Sequence, residues 1–126
     1  MPTLRDIVDS EYVLLTTFRK TGQPVATPVW IAPDGDIALV TTDADSGKVK
    51  RLRHTPRITL APCDARGRTA PDAPVVEATA EIARDEATLA RLDRALAAKY
   101  GMKYRLIRAG RRIRPGTPSW VALVIR

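Results

Sequence analysis

The chemistry-bearing stretch of this chain is Ser46-Gly47-Lys48, which follows Thr41-Thr42 and the acidic link Asp43-Ala44-Asp45. A hydroxyl, a residue without a side chain and an ammonium, in that order, suit an anion: a donor, a gap for close approach and a point charge. A helix opening at Ser46 would add outward-pointing backbone N–H groups and the positive end of its dipole. Lys50, Arg51, Arg53 and Arg57 follow, with no acid from Lys48 to Arg57. As a bare pattern the tripeptide also fits an ordinary helix cap with a solvated basic face, and the cations behind it favour the anion site. A second basic window holds Lys103, Arg105, Arg108, Arg111, Arg112 and Arg114, again without an acid. It either extends the same attraction or is a mobile solvated segment. Gly110, Pro115, Gly116 and Pro118 favour the second.

These two windows carry much of the charge. The chain has 21 Lys+Arg against 14 Asp+Glu, a net charge of +7 and a pI near 10.2. Clustering of that kind points to an anionic partner: nucleic acid, an acidic lipid surface or a phosphorylated small molecule. Nucleic acid is disfavoured, because Lys48 to Arg57 contains no aromatic residue on which a base could stack. His54 is the only histidine and stands just before Pro56, a structural or solvent-facing position. Cys63 is the only cysteine and reads as a small packed residue, not a nucleophile. No metal site, catalytic triad or paired-carboxylate arrangement is expected.

What must position these residues is a single domain spanning 1–126. At 126 residues, 44% hydrophobic and 28% charged, the chain can bury a core without staples. Whole-chain disorder is excluded. The longest apolar run, Trp120 to Ile125, is far short of the ~20 residues a membrane helix needs. The amino terminus lacks the apolar centre of a secretory signal, so a cytoplasmic protein with no membrane partner is expected.

Leu4 to Asp9 reads as a short helix after Thr3. Glu11 to Arg19 is rich in β-branched and aromatic residues and reads as a strand. Turns at Lys20-Thr21-Gly22-Gln23 and Pro33-Asp34-Gly35-Asp36 set off further strands, Val25 to Ala32 and Ile37 to Thr42. Ser46 to His54 reads as a helix with Val49 and Leu52 on its apolar edge. Arg57 to Pro62 is a fourth strand, Asp64 to Pro74 a loop, and Val75 to Ala83 an alternating strand. Leu89, Leu92 and Leu96 place a helix over Glu86 to Lys99, with Gly101 after it. Ser119 to Ile125 closes the chain as an apolar strand, and Trp120 in it is expected in the core or at a subunit interface. Six strands with flanking helices make a mainly β, six-stranded antiparallel barrel.

Thr27-Pro28-Val29-Trp30, Val40-Thr41-Thr42, Ser46-Gly47-Lys48-Val49-Lys50-Arg51-Leu52 and Pro56 through Cys63 together resemble the pyridoxamine-phosphate-oxidase-like flavin and deazaflavin oxidoreductases. The resemblance runs from about Tyr12 to Ile82 and is closest to the branch that uses coenzyme F420. It implies a split β-barrel of the FMN-binding type, a homodimer, and a cofactor site at the subunit interface. In that site Pro28, Val29 and Trp30 would line the ring system, with Thr41 and Thr42 beside the ring and its ribityl chain. Ser46, Gly47 and Lys48 would hold the phosphate, with Lys50 and Arg51 close to an acidic tail. Trp30 would either stack near the ring or pack in the barrel. The implied activity is hydride transfer between reduced F420 and a small unsaturated substrate, with no dedicated catalytic side chain. An FMN-binding oxidoreductase, or a cofactor carrier without turnover, fits the same barrel. Pyridoxamine phosphate oxidase itself has an arginine directly before the lysine, where this chain has Gly47. That departure leans away from FMN and toward a phosphodiester with an oligoglutamate tail.

Overall fold

The computed structural model describes residues 2–112 and 120–126, with residues 108–112 described by backbone alone. Among these, seven antiparallel strands form one curled sheet: β1 (Tyr12–Phe18), β2 (Pro24–Val29), β3 (Ile31–Asp34), β4 (Ile37–Asp43), β5 (Arg57–Cys63), β6 (Val76–Ala83) and β7 (Trp120–Ile125). Three helices flank it: α1 (Gly47–Leu52), α2 (Glu86–Tyr100) and α3 (Met102–Arg112). Strand order is β2-β1-β5-β6-β7-β4-β3. The two edge strands, β2 and β3, are therefore neighbours in the chain, separated by Trp30 alone. Only a sheet curled into a barrel can bring its opposite edges that close. β6 makes the second corner, pairing with β5 through Val76–Thr79 and with β7 through Ala80–Ala83.

The expected mainly β barrel with flanking helices is the fold observed. Its strand number rises from six to seven because the strand expected over Val25 to Ala32 is broken at Trp30. Val25–Val29 pairs with β1, whereas Ile31 and Ala32 pair with Val40 and Leu39 of β4. No straight strand can serve both partners.

The barrel interior is filled by Val13, Leu15, Ile31, Val40, Ile58, Leu60, Leu123 and Ile125, all fully buried. A second core lies outside the barrel, where Leu92 and Leu96 of α2 meet Leu39, Ala122 and Val124. That double burial is why β4 and β7 read as continuous apolar runs, unlike the alternating β6. Ser46 caps α1 as expected, its Oγ accepting the Val49 N–H at 3.3 Å.

Three local expectations change. The helix over Leu4 to Asp9 is a single 3-10 turn, Leu4–Asp6, capped by Asp6 Oδ2 accepting the Thr3 N–H at 2.6 Å. Ile7 leaves that turn to enter the barrel core. Val75 stands exposed and β6 begins one residue later. The basic window from Lys103 is helical through Arg112, Gly110 included. Tyr104 is only 2% exposed and its hydroxyl donates to Asp93 Oδ1 at 2.8 Å, which holds α3 on α2. Such packing outweighs the ~1 kcal/mol that a helical glycine costs. Arg114, Pro115, Gly116, Pro118 and Ser119 lie outside the described residues. No helix among the described residues is long and apolar enough to cross a membrane.

The corner at Trp30 is held from α2. Lys99 Nζ donates to the carbonyls of Val8, Ser10 and Ile31 at 2.5–2.6 Å. The Tyr100 hydroxyl donates to the Glu11 carbonyl at 2.7 Å and accepts the Ile31 N–H at 3.2 Å. Burial pushes the Tyr100 phenol up to about 12. A phenol whose folded pKa lies above its ordinary value near 10 stabilises the fold while it stays protonated. That contribution is complete below about pH 10 and is lost as pH rises toward about 12. The urea midpoint of the wild type is therefore expected to fall across that window. Tyr100→Phe should start lower, by about 1 kcal/mol for a lost hydrogen bond, and should lack that part of the fall.

Candidate functional site

β2 and β4 end at one side of the barrel, and α3 crosses in front of them. Between these elements lies a cleft of about 300 Å³. Pro28, Val29 and Trp30 line it from the corner, Thr41, Thr42 and Asp43 from the end of β4, and Lys48 from α1. Tyr104, Ile107 and Trp120 complete its wall.

The aromatic side is rigid. Trp30 stacks on Tyr100 with ring centroids 4.2 Å apart and planes 7° from parallel. Tyr12 tilts against Trp30 at 6.4 Å, and Lys103 Nζ lies 5.4 Å from the Trp30 ring centre. Lys103 is itself held by Glu11 Oε1 at 3.0 Å. Trp120 packs at 6.3 Å from Tyr104, so this tryptophan belongs both to the outer core and to the cleft wall.

The rest of the lining is largely cationic and hydroxylic. Lys48 is partly buried, and the loss of solvation together with the neighbouring Arg51 pushes its pKa down. Asp43 acts in the other direction, favouring the charged form. An ammonium so placed gains more from an anionic ligand than a fully solvated one would. Thr42 Oγ1 donates to Ser46 Oγ at 3.2 Å, tying the end of β4 to the cap of α1. Thr41 Oγ1 is buried on the cleft wall without a hydrogen-bond partner. Buried hydroxyls are nearly always satisfied; Thr27 Oγ1, outside the cleft lining, is unbonded in the same way.

Of the ten residues expected to bind a cofactor, the cleft brings together Pro28, Val29, Trp30, Thr41, Thr42 and Lys48. Ser46 stands behind it, its oxygen occupied as the α1 cap. Gly47 and Lys50 are exposed outside the cleft lining. Arg51 is drawn away to β1, where its Nε donates to the buried Thr17 Oγ1 at 2.6 Å. Its guanidinium passes over Gly47, where a Cβ would come within 2.7 Å of Nη1. The glycine thus makes room for an arginine supplied from one turn later. Burial and the nearby Arg19 push the Arg51 pKa down.

Sequence reasoning missed Asp43, Tyr104, Ile107 and Trp120 as cleft residues. Tyr104 and Ile107 are one helical turn apart, a spacing that would have marked a common face had the window been read as helix. Asp43 and Trp120 are cross-strand partners, which no sequence pattern announces. The other reactive side chains keep their expected quiet places. His54 is exposed after α1, and Cys63 is a free thiol that burial and Asp64 push up. Among the described residues no group of His, Cys, Asp and Glu could hold a metal ion.

A family model for pyridoxamine 5'-phosphate oxidase matches residues 2–125. The chain belongs to that family. Solved structures agree on the fold of this pyridoxamine 5'-phosphate oxidase family member. The conserved hypothetical protein Rv2991 from Mycobacterium tuberculosis is 23% identical, with a TM-score of 0.72 over 100% of this chain and 81% of its own. An F420 reductase is 20% identical, with a TM-score of 0.58 over 100% of this chain and 94% of its own. HutZ, a heme storage protein from Vibrio cholerae, is 12% identical, with a TM-score of 0.66 over 92% of this chain and 80% of its own. At these identities the likeness is one of fold. No curated protein matches the chain.

The orphaned hydroxyl makes a test of the cleft itself. Thr41→Val removes a buried group that bonds to nothing in the free protein, so stability should hold or rise by about 1 kcal/mol. A ligand that uses the hydroxyl should bind several-fold more weakly. Urea unfolding paired with a binding titration reads both, and a loss of stability would show that Thr41 Oγ1 is satisfied in solution.

Proposed function

We propose that this family member is an F420-dependent oxidoreductase, transferring a hydride between reduced deazaflavin and a small unsaturated substrate. The observation that carries the reading is the make-up of the cleft. Trp30, Tyr104, Ile107 and Trp120 offer aromatic and apolar surface, and Lys48 with Thr41 and Thr42 adds a cation and hydroxyls to the same lining. A planar ring joined to an anionic phosphate has that same polarity. When bound, the reduced deazaflavin would supply a hydride from a ring carbon to an activated double bond. Lys48 would neutralise a phosphate oxygen, and the Thr41 hydroxyl would bond the ring edge or the polyol chain. Pro28 and Val29 would set the ring against the corner of the barrel, and Trp30, fixed by Tyr100, would keep water from one side. None of these tasks needs a catalytic acid or base.

The F420 reductase among the structural neighbours supports the reading at the level of fold. The haem-storing neighbour suggests haem, but the chain's one histidine is exposed outside this cleft, and the Tyr104 hydroxyl already bonds Asp93. FMN is the second reading, and one contact favours it. The Arg51 guanidinium over Gly47 returns a cation to the neighbourhood where the family's oxidase carries an arginine. Both readings carry a homodimer, with partner residues completing the site.

Fluorescence titration with oxidised F420 beside FMN, each at two salt concentrations, tests the proposal. F420 should bind at micromolar affinity or tighter, weaken with salt and exceed FMN clearly. Lys48→Ala should weaken it about 10- to 100-fold, the worth of a charge-assisted phosphate contact. Binding of FMN alone would keep the fold and change the enzyme. Binding of neither would end the reading.

A further inference from the structure

The cleft uses one side of α3 and leaves the other without a task. Tyr104 is buried and Ile107 lines the cleft, so that side faces the barrel. Met102 and Leu106, one helical turn apart, lie on the other side and are 67% and 66% exposed. Together with Ile107 they make three of the four large apolar residues that stand exposed among the described residues. Apolar side chains scattered singly over a surface need no explanation, but three on one short helix form a patch.

The charge around that patch is of one sign. From Arg94 to Arg126 the chain carries nine cations and no acid. Arg105 is exposed, and helix spacing sets positions 105, 108 and 112, all arginine, along one flank of the Met102–Leu106 stripe. Lys103, on the opposite flank, is held by Glu11 and lies near the Trp30 ring.

The pairing of apolar and cationic groups selects the occupant. A second copy packed α3 against α3 about a twofold axis would set arginines against arginines. A nucleic acid would meet the arginines but has no use for methionine and leucine, and Tyr104, the one aromatic of α3, is buried and cannot stack on a base. A bilayer surface with anionic headgroups uses both. Its phosphates face the cations, and its headgroup–acyl boundary takes the apolar side chains.

We propose that α3 is a peripheral membrane contact, lying in the plane of an anionic lipid surface with Met102 and Leu106 inserted and Arg105 among the headgroup phosphates. The lack of an apolar run of membrane-spanning length bears on crossing alone, and a helix that lies on the surface needs no such run. Docking through this side leaves Tyr104 and Ile107 in the cleft wall, so the contact is independent of which cofactor the cleft takes.

Co-sedimentation of the full chain with vesicles tests this, one set of phosphatidylcholine alone and one of equal parts phosphatidylcholine and phosphatidylglycerol. The chain should bind the mixed vesicles, bind phosphatidylcholine far more weakly, and let go as salt rises. Leu106→Gln should weaken binding to the mixed vesicles about tenfold, and Met102→Gln repeats that test one turn away. Arg105→Gln should weaken it about fivefold, the worth of one cation near the surface. Arg53→Gln removes the same charge from the exposed end of α1 and should cost no more than about twofold. All four residues are exposed, so each variant should keep the wild-type circular dichroism spectrum. Binding that both glutamine variants of the apolar pair leave unchanged, or that Arg53→Gln weakens as much as Arg105→Gln does, would overturn the proposal in favour of a general attraction for a basic protein. Equal binding to the two vesicle types would overturn it as well. So would no vesicle binding at all, and a dimer in sedimentation equilibrium that Leu106→Gln dissolves would then give this face to a second copy.

Discussion

The barrel depends on what happens to the backbone at Trp30 and Ile31. A strand that leaves one partner for another must break its ladder, and each N–H and C=O released there must find a partner or carry a desolvation cost of about 1–3 kcal/mol. Here the replacements come from two consecutive residues at the end of α2. Lys99 spends its three N–H bonds on the carbonyls of Val8, Ser10 and Ile31, and the Tyr100 hydroxyl takes the Ile31 N–H. A lysine suits its share of this work because an ammonium is all donor and three carbonyls converge on it. The same contacts tie the amino-terminal turn, the corner and α2 into one unit.

That unit is also what makes a cleft possible. Tyr100 both bonds Ile31 and stacks on Trp30, so the satisfaction of the corner and the orientation of the indole are one arrangement. Immediately beyond it, Gly101 turns the chain with φ +62°, a conformation that side chains rarely adopt, and α3 sets off with Tyr104 and Ile107 facing the cleft. The apolar wall is thus attached to the hydrogen-bonded corner through a few residues. The cationic wall is independent of it: Lys48 is placed by the Ser46 cap and by the Thr42–Ser46 bond at the far end of β4. The two groups of lining residues are thus held by two separate local devices, and the barrel brings them to one cleft.

How much of this the sequence discloses follows from the range of each interaction. The Ser46 cap, the Leu92–Leu96 face and the strand runs from Tyr12 and Ile37 depend on neighbours within a few residues, and they are legible. The break at Trp30 depends on which strands lie to either side, and Val25 to Ala32 carries no local sign of it. Tyr100 is plainly visible as the end of a helix, but its partners Glu11 and Ile31 are 89 and 69 residues away. α3 misleads for a related reason. Its composition describes the solvent-facing side, whereas Tyr104, buried against Asp93, decides whether the helix forms. Six of the ten expected site residues reach the cleft because the motif that suggested them straddles a strand end and a helix cap, two features that local sequence does set.

The four that do not reach it bear on what the basic cluster is for. Lys48 to Arg57 looks in sequence like one positive surface, but the fold sends its members in different directions. Lys48 enters the cleft, Arg51 turns back to Thr17, and Lys50 and Arg53 are exposed on α1 and its end. Arg57 lies 4.3 Å over the Phe18 ring on the β1–β5 face and 3.9 Å from Glu77. A surface that tracks a polymer of phosphates needs its cations in register along one groove. A site for one phosphate needs a single partly buried cation with a donor beside it and lower dielectric around it. The dispersal of this cluster fits the second requirement better than the first, and Arg51 stays close to Lys48 without lining the cleft. By occupying the space over Gly47 it keeps a second positive charge near Lys48, so that an anion reaching Lys48 would meet a field with more than one source.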